Sequence, residues 1–308
     1  QVELISGPGC PVCVTQVGFI DEAIYLALER QVTICTFGDL VRVPGTNMSL
    51  AGAREKGAKI RIVYSPVDAK EYAKEHPKEQ VTFLSVGFET TTPSACLSVK
   101  KAREEGLTNY SILTANKTMP QAYEALKGSA DIFLYPGHVN AITGTKLCEE
   151  LAKEGVSGVV AGFTAKELLT ALAVALARFQ EGRPFFVNCY PRVVTENGSP
   201  QAQKLVEEMM EPCDSEWRGL GVIKGSGMRL QEEWSAFDAR KKYKIPLIQG
   251  KANPACRCGD VLQGKCKPSD CKVFGKVCTP QHPVGACMVS GEGACSAYYM
   301  YGEAEKMK

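Results

Sequence analysis

Seven of the 14 cysteines fall between Cys256 and Cys295, in the run ACRCGDVLQGKCKPSDCKVFGKVCTPQHPVGACMVSGEGAC. This stretch is poor in large aliphatic residues and rich in Gly, Pro and Lys, so burial of apolar surface alone cannot fold it. Thiolates are the alternative source of cohesion. Four of them at long, irregular spacing suit a [4Fe-4S] cluster or a four-thiolate zinc site. The absence of paired CxxC knuckles leans the reading toward iron–sulfur. Cys256 and Cys258 stand too close for both to ligate one small ion comfortably, which implies different jobs. From Lys251 to Pro280 there are six Lys/Arg against two Asp. That bias suits a wrapping for a negatively charged centre, and equally a solvated loop.

The other residues look like ordinary globular α/β scaffold, 44% hydrophobic and 23% charged overall. A net charge of +2 gives no whole-chain reason to expect nucleic acid or an anionic membrane as partner. No apolar run reaches 18 residues, and no signal peptide is visible. The cysteines therefore read as reduced thiols for metal or redox chemistry in a cytoplasmic protein. The chain opens at Gln1 and not at Met, which reads as the loss of an N-terminal segment.

Short apolar runs alternate with helical periodicity along residues 2–180, beginning with an expected short strand at Val2–Ile5. Strand, crossover helix, strand at this spacing argues for parallel sheets covered on both faces. The expected fold is α/β: two doubly wound parallel-sheet lobes facing a cleft, plus a small cysteine-rich iron–sulfur domain. The lobes are expected at 1–108 and 109–243, with part of 185–243 free to return to the first, and the cysteine-rich domain at 244–308.

In open α/β sheets ligands bind beyond the carboxyl ends of strands. Those ends carry Cys10 and Cys13, Asp39 and Arg42, Glu89, and His138, which would converge on one crevice if the lobes face each other. The Cys10-Pro-Val-Cys13 pair precedes a helical pattern, which favours a reactive thiolate. It suits dithiol/disulfide exchange or half of a metal site. Cys35, Cys96, Cys148, Cys189 and Cys213 are isolated and read as small buried hydrophobes; Cys266 has no evident partner. No Walker A, GxGxxG, GxSxG or HExxH motif is present, so nucleotide hydrolysis, dinucleotide binding and serine hydrolysis have no support.

Six segments in order carry a family pattern: GPGCPVC (7–13), TFGDLVRVPG (36–45), VGFETTTP (86–93), PGHV (136–139), WRGLG (217–221) and CRCGDVLQG with PVGACMVSGEGAC. Together they resemble the HypD family of hydrogenase maturation proteins, over essentially the whole chain. The resemblance implies a role in building the Fe(CN)2CO unit of [NiFe] hydrogenases. It also implies a HypC-type iron chaperone and a HypE-type cyanide donor as partners. It assigns Cys256, Cys271, Cys278 and Cys295 as [4Fe-4S] ligands, Cys258 and Cys287 as a redox dithiol, and Cys10 and Cys13 as the reactive pair. Asp39, Arg42, Glu89 and His138 would line the crevice and position charge or protons. A Cys-Gly-Gly-His-Thr motif that family members carry upstream of GPGCPVC is not in this sequence. A different class of protein, a small-ligand-binding α/β module with a structural metal site, is the alternative reading.

Overall fold

The fold was obtained as a computed structural model and is described for residues 2–302. The first sheet holds strands β1 (Thr33–Thr36), β2 (Ile60–Ile62), β3 (Val81–Gly87) and β4 (Tyr110–Asn116), in the order β2-β1-β3-β4 and all parallel. Its strands are apolar almost throughout because both faces are covered. Alternation along each strand sends successive side chains to opposite sides. Ile34, Leu84 and Leu113 pack on one side with Phe19, Ile20 and Leu26 of helix Val17–Leu28. Cys35, Phe83 and Ile112 pack on the other, with Ala69 and Ala73 of helix Pro66–Glu75 and Cys96 and Val99 of helix Thr92–Glu104.

A second parallel sheet joins β5 (Phe133–Pro136), β6 (Gly158–Ala161) and β7 (Phe186–Asn188) in that order. An antiparallel hairpin of β8 (Met210–Trp217) and β9 (Gly221–Leu230) follows. Among the described residues no helix is long and apolar enough to cross a membrane.

Two expectations change. Residues Val2–Ile5 form no strand; Val2, Leu4 and Ile5 are exposed and outside any ladder. The expected boundary at 108 would cut the first sheet, since β3 and β4 pair residue for residue from Val81–Tyr110 to Gly87–Asn116. The buried Tyr110 hydroxyl shares a 2.9 Å hydrogen bond with Ser98 of that same unit. The stretch 200–243 returns to the first sheet, as the sequence allowed: helix Pro200–Met209 packs on Thr92–Glu104, and both β9 and Ala239–Tyr243 pack on β4. The hairpin was not anticipated, because between its buried ends β8 (MEPCDSEW) alternates half-buried and exposed positions with few strong strand formers.

Residues 251–293 contain only one five-residue helix, Cys258–Leu262, and two three-residue 3-10 turns, Pro268–Asp270 and Ala286–Met288. Helix Ala294–Tyr301 closes the module; residues 303–308 of the expected domain lie outside the described ones. One apolar cluster joins all the parts. It includes Tyr135 and Val160 of the second sheet, Trp217 of the hairpin, Cys10 and Cys13, and Cys258, Cys287 and Met288 of the module.

A candidate thiol redox site

Pro11 at the first helical position and a Cys10 side chain accepting from the Cys13 N–H at 3.2 Å start a single helical turn, Pro11–Val14. The turn brings the two sulfurs together, and Cys10 and Cys13 are joined as a disulfide. Both are buried, at 2% and 0% exposure, so this bond is sealed from bulk water. The turn packs directly on Ala286–Met288, which carries Cys287.

Six thiols line one small cavity of about 10 Å³: Cys256, Cys258, Cys271, Cys278, Cys287 and Cys295, walled by Val261, Val273, Phe274 and Met288. Cys256, Cys258, Cys287 and Cys295 stand together around it, and their thiols compete for protons. Cys258 is thereby held well below the usual thiol range, first by Cys256 and then by Cys287, against the cost of burial; the Arg218 charge adds to the effect. Cys287 is pushed up by the same competition, first with Cys258 and then with Cys295. Cys278 accepts from the Val284 N–H at 3.3 Å. Gly285 lies against Cys256 Sγ so closely that a Cβ has no room. Cys266 lies outside this cavity.

This donor set fits an iron–sulfur cluster in kind: soft thiols only, from separate segments, inside an apolar wall, with a backbone N–H already on one sulfur. The sulfurs close on one another here, and among the described residues no three His, Cys, Asp or Glu stand in metal-holding geometry.

The remaining candidates separate. The Glu89 carboxylate is inside: Oε1 accepts from the Met119 N–H at 2.8 Å, while Oε2 is buried without a partner. Burial pushes its pKa up to about 7. Phe88 beside it stacks on Trp217 at 5.9 Å, which ties Glu89 to the core that holds the disulfide. Arg42 is directed to the cysteine module, where Nη1 donates to Pro280 O at 2.6 Å. His138 is exposed and stacks on Phe163 with centroids 3.7 Å apart. Asp39 is exposed, with no hydrogen bond or ion pair from its side chain among the described residues. The structure thus gathers the thiols and Glu89, and leaves Asp39 and His138 on the surface.

Two features escaped the sequence. Tyr123 and Tyr135 bury hydroxyls without partners near Glu89, their rings 4.6 Å apart. Arg218 meets both thiol regions: its N–H donates to Val14 O at 2.8 Å and its Nε to Thr15 O at 3.0 Å. The signal for Arg218 was present in WRGLG, where glycines around one Arg mark a turn in close contact with something.

The molecule is an α/β protein whose parallel-sheet scaffold seats a CxxC disulfide against a six-thiol module. A family model described as "Hydrogenase formation hypA family" and labelled HypD matches residues 1–302. The "Hydrogenase maturation factor HypD" of Cupriavidus necator is 41% identical over 98% of this chain and 83% of its own length. That of Rhizobium leguminosarum bv. viciae is 43% identical over 98% and 82%. That of Escherichia coli K12 is 41% identical over 99% and 83%. The chain belongs to the HypD family.

Proposed function

We propose that this chain serves [NiFe] hydrogenase maturation, the role named for its relatives, by passing electrons between two buried thiol pairs. The supporting observation is the packing of Pro11–Val14 on Ala286–Met288, which sets the Cys10–Cys13 disulfide beside Cys287 and its neighbour Cys258. In the exchange, a thiolate of the Cys258/Cys287 pair attacks the Cys10–Cys13 bond through a mixed disulfide. The S–S bond between 10 and 13 breaks and one between 258 and 287 forms. Two electrons move with it, and the two protons lost by one pair are taken up by the other. Glu89, protonated near neutral pH, is the acid available in the same sealed core.

Cys256, Cys271, Cys278 and Cys295 would hold a [4Fe-4S] cluster, which when bound supplies electrons to the neighbouring dithiol. The substrate is the iron centre that becomes Fe(CN)2CO. A HypC-type chaperone would present it and a HypE-type protein would donate cyanide. It would be worked on in a cleft between two doubly wound lobes, with Arg42, Asp39 and His138 at its rim, in the cytoplasm.

Anaerobic purification with iron and sulfide analysis and an electron paramagnetic resonance spectrum tests the cluster. About four irons and four sulfides per chain are expected. About one zinc with no sulfide overturns the iron–sulfur assignment. Cys258→Ser and Cys287→Ser are each expected to abolish hydrogenase maturation while leaving the fold intact; retained maturation in both overturns the redox reading.

A further inference from the structure

We infer that the Trp217–Gly219 turn is the clamp that holds the two thiol pairs in register for exchange, with Arg218 as its positioning residue. This rests on the exchange proposed above and names what makes it geometrically feasible. On one side the turn is bonded to the chain just after Cys13. Thr15 and Trp217 form an isolated antiparallel bridge, and Arg218 contributes both its backbone N–H to Val14 O and its Nε to Thr15 O, at 2.8 and 3.0 Å. On the other side it is bonded to the chain just after Cys258. Gly219 meets the backbone of Gly259 so closely that neither position has room for a Cβ, and Gln263 Nε2 donates to Gly219 O at 2.6 Å.

The turn itself is fixed from within. Trp217 is fully buried, its Nε1 donates to Ser226 Oγ at 2.7 Å, and its ring stacks on Phe88. Gly219 has φ +81°, a left-handed conformation that suits glycine. Three consecutive residues therefore span from one residue beyond Cys13 to one residue beyond Cys258.

The guanidinium makes this more than a structural splice. Its Nη2 is buried with no hydrogen-bond partner, and among the described residues Arg218 has no carboxylate partner. Nη2 is cut off from water and unpaired although the residue as a whole is only half-buried, an arrangement with a stability cost that an apolar side chain of similar shape avoids. The Nε bond to Thr15 accounts for one edge of the guanidinium and leaves Nη2 without a structural partner. Arg218 and Cys258 line the same cavity, so the anion available to it is the negative charge that spreads over the sulfurs during exchange.

The metal-loaded protein is prepared with the Cys10–Cys13 disulfide intact and Cys258 and Cys287 reduced. It is incubated anaerobically and quenched in acid over time. Alkylation with mass mapping then gives the oxidised fraction of each pair, for wild type, Arg218→Met and Arg218→Lys. Transfer in Arg218→Met is expected to slow about 100-fold, the scale of a misplaced reacting pair. Its iron content should be unchanged and its melting temperature should fall by no more than a few degrees, the scale of the one lost Nε bond to Thr15, and Arg218→Lys should recover part of the rate. Transfer within twofold of wild type in Arg218→Met overturns the inference. So does a slowing that comes with a larger fall in melting temperature and that Arg218→Lys does not relieve. If wild type itself moves no oxidation between the pairs, the exchange reading falls and the clamp with it.

Discussion

The first sheet and the cysteine module lie in one chain and are held by different forces. In the sheet, neighbouring residues such as Ile34 and Cys35, or Phe83 and Leu84, feed two separate apolar cores on opposite faces. Cohesion there is area removed from water, about 25 cal/mol per Å². The module has no such alternation, and its buried residues are chiefly the cysteines themselves with Val261, Leu262 and Met288. Its cohesion passes through sulfur. The two regions should therefore fail for different reasons, and substitutions can separate them.

The largest effect belongs to the sheet. Phe83 is 1% exposed and packs edge-on against Phe37 at 5.4 Å. Phe83→Ala should cost about 3–5 kcal/mol in denaturant unfolding, through lost transfer energy and the cavity left behind. Iron bound per folded molecule should not change. A parallel loss of iron at temperatures where the protein is still folded would show that the two regions are not separable.

Next is the seam between them, at Glu89. Its carboxyl titrates near 7 in the folded chain against 4.5 as the ordinary value. The raised pKa means that folding favours the protonated form. Stability is whole below about pH 4.5 and falls as pH rises through 7. At 1.36 kcal/mol per pH unit the loss is at most about 3 kcal/mol by pH 8. Glu89→Gln should flatten that part of the profile, so the difference between the two proteins at pH 5 and pH 8 is the measurement. Identical slopes would mean that Oε2 finds a partner or water.

What the sequence disclosed divides along the same line. Parallel strands and their covering helices were legible because period-2 and period-3.6 patterns are local. The membership of β4 was not, because the turn at 106–109 looks the same whether the next strand pairs with β3 or opens a new sheet. The hairpin was hidden by the polar residues of β8, which stay half-buried or exposed and leave no apolar alternation to read. For the site, the cysteine-rich run pointed to the segment whose thiols the fold gathers around one cavity. It could not show that Pro11–Val14 packs on Ala286–Met288, since that contact spans most of the chain and depends on the fold. Asp39 and His138 sit at strand ends as expected, yet a position after a strand fixes only where the backbone goes.

The module supplies the converse test. Gly285 allows no Cβ against Cys256 Sγ. Gly285→Ala must push that sulfur aside within its apolar wall, and iron and sulfide content should fall by more than half. Unfolding of the lobes should change by only about 1 kcal/mol, since of the residues beside Gly285 just Ala286 reaches the first sheet's core. Full iron content in this variant would mean that the sulfur positions are looser than the packing implies.

The smallest effect is expected on helix Ala165–Phe179, whose Leu169 is 67% exposed while only Ala171 and Ala175 are buried. A leucine that already faces water removes almost no apolar area on folding, so Leu169→Glu has nothing to lose there. Two smaller terms act on it. Glutamate and leucine have similar helix propensity, and a negative charge one turn into the helix interacts weakly and favourably with the dipole. The unfolding free energy should stay within about 0.5 kcal/mol of wild type and iron content should be unchanged. A loss of several kcal/mol would mean that this face is covered in solution, and that part of the lobe's cohesion comes from outside the contacts that separate it from the module.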